Sequence, residues 1–198
     1  QAKVCVLAEG GLGHLAKKLG VKPNNKVFAG LEYEHYVAPA QLDGKLYIDF
    51  DYNETGYAWN FPKSDGMSFG IGGVKTRTNT KLSLPQKLKN YVQAFNLSTL
   101  EKQHLHGHPI LLYSGRKKLV HGQLLLIGEV AGSVDPLTAE GIRPSIKSAY
   151  IAAQVISQAF AKQDMAWLKQ YDIEFHKQIG RDFQYARILS YFLNTHLQ

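Results

Sequence analysis

The chain has 198 residues, of which 44% are hydrophobic, 11% aromatic and 20% charged, and its 23 Lys and Arg outnumber 16 Asp and Glu for a net charge of +7. That balance disfavours disorder, a collagen repeat and a coiled coil, and the length allows one full-sized domain or two small ones. No apolar run reaches the roughly 18 residues that cross a bilayer, and the single Cys5 removes an internal disulfide framework and suits a reducing cytosol.

The chain opens Gln-Ala-Lys rather than with Met, the mark of a processed chain or a fragment. Residues 4–8, Val-Cys-Val-Leu-Ala, read as a short buried strand, with Cys5 as a small buried hydrophobe. A glycine turn at Gly10, Gly11 and Gly13 follows, then a helix over 14–19 stopped by Gly20 and Pro23. From 27 to 61 the pattern changes to strands over 27–37, 45–50 and 56–61, punctuated by Asp43-Gly44 and Asn53-Glu54. Asp65-Gly66 joins the third of these to a strand over 67–72 as a hairpin.

Ser83-Leu-Pro-Gln86 is a capping box, and Leu88, Tyr91, Val92 and Phe95 form the apolar stripe of the helix it opens. Short apolar strands are expected over 109–113 and 124–127, a loop over 128–141, and a long helix over 142–161. Two more helices, over 165–179 and 181–196, complete the chain. The order suggests a sheet inserted between parts of an α/β unit.

Gly11-Leu-Gly13-His-Leu-Ala16 after a Val-rich strand fits a G-x-G-x-x-A dinucleotide fingerprint, with Glu32 about 20 residues on as the ribose acid. A look-alike strand–turn–helix fits as well, because the next strand is too long and polar for a buried parallel one. The stretch Gly128-Glu-Val-Ala-Gly132-Ser-Val-Asp-Pro136-Leu-Thr-Ala-Glu140-Gly141-Ile142 is more informative. It ends a buried strand and feeds a long helix, whose first-turn N–H groups and dipole suit an electron-rich group. An ordinary glycine-rich β–loop–α unit is the plain alternative.

Tyr57, Trp59 and Phe61 alternate, so a strand places all three rings on one face. Such a wall binds an apolar chain by area, unless it is an aromatic core face. Gly70 and Gly72 on the next strand allow a ring or ligand to approach the backbone, or mark a bulge. His104, His106 and His108 lie at alternate positions without an acidic or thiol partner nearby, and read as a loop leading into the following strand rather than a metal site. The basic runs Lys17-Lys18 and Arg116-Lys117-Lys118 suit a diphosphate, an anionic membrane surface or a solvated face, and no nucleic-acid motif accompanies them. The last helix, with Phe183, Ile188, Leu189, Phe192 and Leu193 beside Arg181 and Arg187, suits packing or a homodimer, with membrane contact as the sharper reading.

Taken together, three segments resemble the geranylgeranyl reductase family of flavoproteins. The 128–142 stretch is similar to its second FAD-contacting motif. Tyr57-Ala-Trp59-Asn-Phe61-Pro62 followed by Gly70-Ile-Gly72 resembles its Y-x-W-x-F-P…G-x-G pattern, and Ala8-Glu9-Gly10 with Leu19-Gly20 resembles its A-D-G…L-G segment. The segments fall in family order across residues 4–150. Glu9 and Glu129 stand where the family has Asp, Gly13 stands at its Ser position, and Ala139 replaces a loop glycine.

The resemblance implies an α+β chain: the C-terminal part of an FAD-binding α/β domain with an inserted, mostly antiparallel substrate sheet and C-terminal helices. It divides the chain into an FAD-domain remnant (1–24), the substrate domain (25–113), the second FAD-domain part (114–162) and the C-terminal helices (163–198). The fingerprint strand would then lie before Gln1, and residues 11–16 would be the look-alike. Implied flavin contacts are Gly128, Glu129, Pro136, Leu137, Gly141 and Ile142, and implied prenyl-site residues are Tyr57, Trp59, Phe61, Gly70 and Gly72. The implied activity is saturation of isoprenoid double bonds by hydride from reduced FAD, with NAD(P)H as donor, in a cytoplasmic protein that contacts a membrane peripherally. No catalytic residue or metal ligand is assigned. A flavin monooxygenase or carotenoid cyclase, and a flavin-free lipid-binding module, are the other readings.

Overall fold

The computed structural model describes residues 2–21, 26–36, 44–74, 82–97, 104–115 and 118–196. Pro23, Val37, Asp43, Arg116 and Lys117, which carry expectations above, lie outside them. The chain forms two compact units, one from residues 1–27 and 110–197, the other from 28–109.

The first unit is built on a three-stranded sheet ordered β1 (Cys5–Leu7), β8 (Leu124–Leu126), β7 (Val120–His121). β1 runs parallel to β8, and β7 antiparallel to it. Leu7, Leu125 and Leu126 are buried in one cluster with Ile151, Val155, Leu168, Tyr171 and Phe175 from the helices. The expectation that β1 is buried fails for Cys5 and Val6, which are both exposed. The cause is position: among the described residues β1 pairs with β8 alone and lies at the edge of the sheet.

The long helix is α3 (Ile142–Ala161), with the bounds expected. The two terminal helices instead form one helical rod. A 3-10 turn (Met165–Lys169) leads into α4 (Gln170–Phe175), a π turn (His176–Gly180) and α5 (Arg181–His196). Gly180, expected as a break, lies inside the π turn, because a Cβ there would press on the His176 Nδ1 at 2.6 Å and the Tyr113 hydroxyl at 3.3 Å. Glycine thus serves here for room rather than as a stop.

The second unit is a five-stranded sheet ordered β3 (Tyr47–Asp49), β4 (Gly56–Lys63), β5 (Gly66–Val74), β2 (Val27–Tyr36), β6 (Leu105–Leu111). The pairs β3–β4, β4–β5 and β5–β2 are antiparallel. One face packs on α2 (Leu84–Gln93): Tyr33, Ala58, Phe69 and Ile71 bury against Leu88, Tyr91 and Val92. The Ser83–Gln86 capping box opens α2. Tyr91 donates its hydroxyl proton to Asp49 at 2.6 Å, and burial, then this carboxylate, raise its pKa. Lys87, buried on the same helix, donates to Asn53 Oδ1 at 2.9 Å and pairs with Glu54, tying α2 to the turn before β4.

The three-histidine segment corrects a second expectation. It is not a loop: His106 and His108 belong to β6, and His104 lies immediately before it. The strand begins four residues earlier than 109, since pairing at the sheet edge extends it beyond its apolar core. Among the described residues no group of three His, Cys, Asp or Glu is placed to hold a metal.

Candidate functional site

The flavin-loop candidate lies wholly in the first unit. After β8 the chain makes a 3-10 turn over Gly128–Ala131, with Gly128 at φ 67 and Gly132 closing it at φ 78. The Gly128 N–H donates to Ser148 Oγ of α3 at 2.8 Å, and Ser148 Oγ donates to the Ser145 carbonyl at 2.7 Å. Ser148 is fully buried, so this bond pins the start of the loop to the helix it feeds.

Glu129 points back toward the sheet. Its Oε1 accepts the Leu111 N–H at 2.7 Å and lies over Gly11, where any Cβ would overlap it. Leu111 thereby fixes one oxygen of a carboxylate one methylene longer than the aspartate of the family pattern.

The rest of the loop is held by its own side chains. Asp135 Oδ1 accepts from the Leu137 N–H at 2.7 Å and the Thr138 N–H at 3.2 Å, an Asx turn around the buried Pro136. Ala139 follows in the left-handed region at φ 59, its N–H donating to the Asp135 carbonyl at 3.0 Å. Glu140 Oε1 accepts the Arg143 N–H at 2.8 Å, and Pro144 has no N–H. Gly141 is the N-cap of α3. Two of the first three N–H positions of α3 are therefore closed, which leaves the Ile142 N–H to face an outside group. Ile142 itself is 79% exposed. The loop thus presents one helix-end donor beside a small-residue platform, narrower than the open first turn that the pattern suggests.

The fingerprint at residues 11–16 fails for a visible reason. Glu9 accepts the Leu15 N–H at 2.7 Å and the Ala16 N–H at 2.6 Å, occupying the amides that a pyrophosphate would need at the start of α1 (His14–Lys18).

The aromatic candidate lies wholly in the second unit, on the sheet face opposite α2. Tyr57, Trp59 and Phe61 follow one another along β4, with ring centroids 5.8 and 6.2 Å apart. Phe50 and Phe28 extend the series at 6.2 and 5.9 Å from Tyr57. Trp59 stands opposite Gly70 and Tyr57 opposite Gly72, in continuous register without a bulge. The indole lies flat on Gly70 and the Phe28 ring on Gly72, since a Cβ at either glycine would fall inside the ring. Ile48, paired with Trp59, is 48% exposed, and Phe50 is 70% exposed. The three β4 rings are half-buried, so this is an open apolar surface and not a core face.

The surface turns polar toward β2. Ser68 donates to Glu32 at 2.5 Å, and Glu34 accepts from Tyr36 and pairs with Lys63, each at 2.5 Å. Lys63 and then Tyr36 lower the Glu34 pKa. Glu32, weighed as a ribose acid, is instead a sheet residue bound to Ser68.

Residues missed in the sequence are Ser148, Asp135 and Glu140, which shape the loop through their bonds to its backbone. Asp-Pro before a helix and an acid three residues ahead of Arg143 are readable turn and capping signals; the Ser148 bond depends on helix phase against the loop and carries no local signal.

No family model matches the chain. It is similar to the digeranylgeranylglycerophospholipid reductase of Thermoplasma volcanium, with 30% identity over 181 residues that cover 83% of this chain and 43% of that protein. The chain spans about half the length, or less, of the curated relatives it matches first. The structure of a geranylgeranyl bacteriochlorophyll reductase-like protein from Thermoplasma acidophilum superposes with a TM-score of 0.81 at 23% identity, over 98% of this chain and 51% of that one. A flavin-dependent halogenase from Brevundimonas superposes with a TM-score of 0.67 at 17% identity, over 97% of this chain and 38% of the enzyme. The α+β architecture is therefore one that flavin-dependent enzymes use, and the sequence kinship is with proteins named as isoprenoid-lipid reductases.

Proposed function

We propose that the protein is part or all of an FAD-dependent reductase that saturates isoprenoid double bonds. The observation that carries this reading is the open aromatic surface of Phe50, Tyr57, Trp59 and Phe61, with Trp59 seated on Gly70 and the buried Phe28 ring seated on Gly72. A prenyl chain offers almost no hydrogen bonds and binds by apolar area, at about 25 cal/mol per Å² removed from water. The relatives named digeranylgeranylglycerophospholipid reductase point to the same substrate class.

The 128–142 loop fits a flavin in its backbone. Its platform is built of glycine and small side chains, and the Ile142 N–H at the positive end of α3 suits an electron-rich ring edge. Gly128, Glu129, Pro136, Leu137, Gly141 and Ile142 would hold the group, with Glu129 as the acceptor for a ribityl hydroxyl. A flavin held there would supply hydride to one alkene carbon, with a proton from water completing the other, and a reduced nicotinamide would recharge it. The chain's own work is to fix that loop through Ser148, Asp135 and Glu140, and to hold the apolar substrate away from water on the aromatic surface. The tyrosine nearest the middle of that surface is Tyr57, and no proton donor is assigned to it.

The test uses the longest form of the protein its gene encodes, with FAD, dithionite and a digeranylgeranyl glycerolipid. Saturated product by mass spectrometry, lost together with FAD fluorescence quenching in Gly128→Val, supports the reading. Flavin binding without saturation, or saturation unaffected by Trp59→Ala, overturns it.

A further inference from the structure

A groove of about 200 Å³ runs between α3 and the terminal rod, wholly inside the first unit. None of the residues that line it belongs to the 128–142 loop. Its rim is Gln154 and Gln158 of α3, Trp167 of the 3-10 turn, Gln170 and Glu174 of α4, and Gln178 of the π turn. The buried side chains of Ile151 and Val155 form its floor.

Part of this rim is already fixed. Gln158 Oε1 accepts the Trp167 indole N–H at 2.9 Å, and Gln178 Nε2 donates to Glu174 Oε2 at 2.9 Å. The Lys147 ammonium donates to the Gln178 carbonyl at 2.7 Å, which ties the π turn to α3. The remaining capacity is open. Among the described residues, the side chains of Gln154 and Gln170 take no hydrogen bond, and Gln178 is the one partner of the Glu174 carboxylate.

The chemistry of the rim selects its occupant by sign. Glu174 is the one ionised side chain lining the groove, so an anion is repelled. The indole face that would attract a cation is already taken, because the Lys162 ammonium stands 4.2 Å from the Trp167 ring centroid. What remains is a neutral ligand. An amide offers a donor and an acceptor side by side, as water and a hydroxyl group do. A molecule rich in hydroxyls therefore reproduces the hydrogen bonds of the water it displaces, while its C–H groups meet the apolar floor. The volume admits one ring, since sites for drug-sized ligands run to roughly 300–1,000 Å³.

We propose that this groove binds a small neutral polyol, one sugar or cyclitol ring in size. Glu174 accepts hydroxyl protons, and the Gln154 and Gln170 amides bridge the neighbouring hydroxyls. The inference does not depend on flavin binding or on the prenyl surface.

The experiment is a titration of the isotope-labelled protein with D-glucose, myo-inositol and D-glucuronate, reading the two indole N–H signals by NMR. Trp59→Phe tells the two signals apart. Glucose or inositol is expected to move the Trp167 signal saturably in the millimolar range and to leave the Trp59 signal still. Glucuronate, with a carboxylate on the same ring, binds at least about fivefold more weakly. Glu174→Gln weakens the neutral ligand about tenfold and narrows its margin over glucuronate, and Gln154→Ala weakens it about fivefold. Ser157→Ala, on the exposed side of α3 outside the groove, changes nothing, and the dispersion of the amide spectrum checks each fold. No movement of the Trp167 signal up to about 50 mM, equal binding of glucuronate, or indifference to Glu174→Gln overturns the proposal. So does movement confined to the Trp59 signal, which would put the polyol elsewhere.

Discussion

The carboxylate of Glu129 lies where a side chain on Gly11 would stand, and the Leu111 N–H holds it there at 2.7 Å. The turn after β1 and the start of the 128–142 loop are thus fitted to each other through one absent Cβ. Gly11→Ala forces the carboxylate off Leu111 and costs about 1–3 kcal/mol as overpacking and a lost hydrogen bond. Glu129→Asp withdraws the group by one methylene and costs about 1 kcal/mol. In the double variant the overlap is gone, so the two losses fall short of additivity by about 1 kcal/mol in urea unfolding. Additive losses would show that the two residues do not touch.

Ala139 sits at φ 59, a region where a side chain costs about 1–3 kcal/mol and glycine little. Ala139→Gly relieves that strain but loosens the unfolded chain by about 0.4–1 kcal/mol. The net expectation is a gain of about 1 kcal/mol, read as a higher thermal midpoint. A lower midpoint would contradict the left-handed assignment.

Gly70→Ala places a methyl group inside the Trp59 indole. The ring must swing off the sheet, at a cost of about 1–3 kcal/mol. With Trp167 replaced by Phe, Trp59 is the only indole left, and its emission should shift to the red as the ring enters water. Unchanged emission would mean that the ring does not rest on Gly70.

The Lys87 ammonium beside Glu54 holds the Glu54 carboxyl below its ordinary pKa of 4.5. A carboxyl depressed in the folded state stabilises above its unfolded pKa, and that contribution is lost as pH falls through the folded value. The stability gap between wild type and Glu54→Gln should therefore be widest at neutral pH and close as pH drops below about 4.5. Glu54 is largely exposed, so the gap is small. A gap constant from pH 7 to pH 3 would exclude the pairing.

Local periodicity made α3, the α2 capping box and the β4–β5 hairpin legible from sequence, because each is specified by residues within a few positions of one another. The failures share a cause that lies elsewhere in the chain. Cys5 is apolar and strand-like, but its burial depended on a neighbour on the far side of β1. His106 and His108 carry no strand signal of their own and are recruited by pairing beside β2. The aromatic surface was readable as an alternation, whereas the flat seating of Trp59 on Gly70 required the register between two strands. In the 128–142 loop the glycines and the strand–loop–helix order stood out, whereas the Ser148 bond that pins the loop to α3 did not.

The π turn at 176–180 has a consequence for how this chain can vary. Each residue of an α-helix advances about 100° around the axis, so a register shift at one point is felt along everything downstream. The five residues of the π turn sweep nearly the angle that four α-helical residues would, so removing one of them would restore ordinary helical winding and leave Phe183, Tyr185 and Ile188 close to their present bearings. The π turn is therefore one slack residue in the rod. Single deletions within 176–180 should be tolerated better than single deletions in α5, which would turn everything downstream by about 100°.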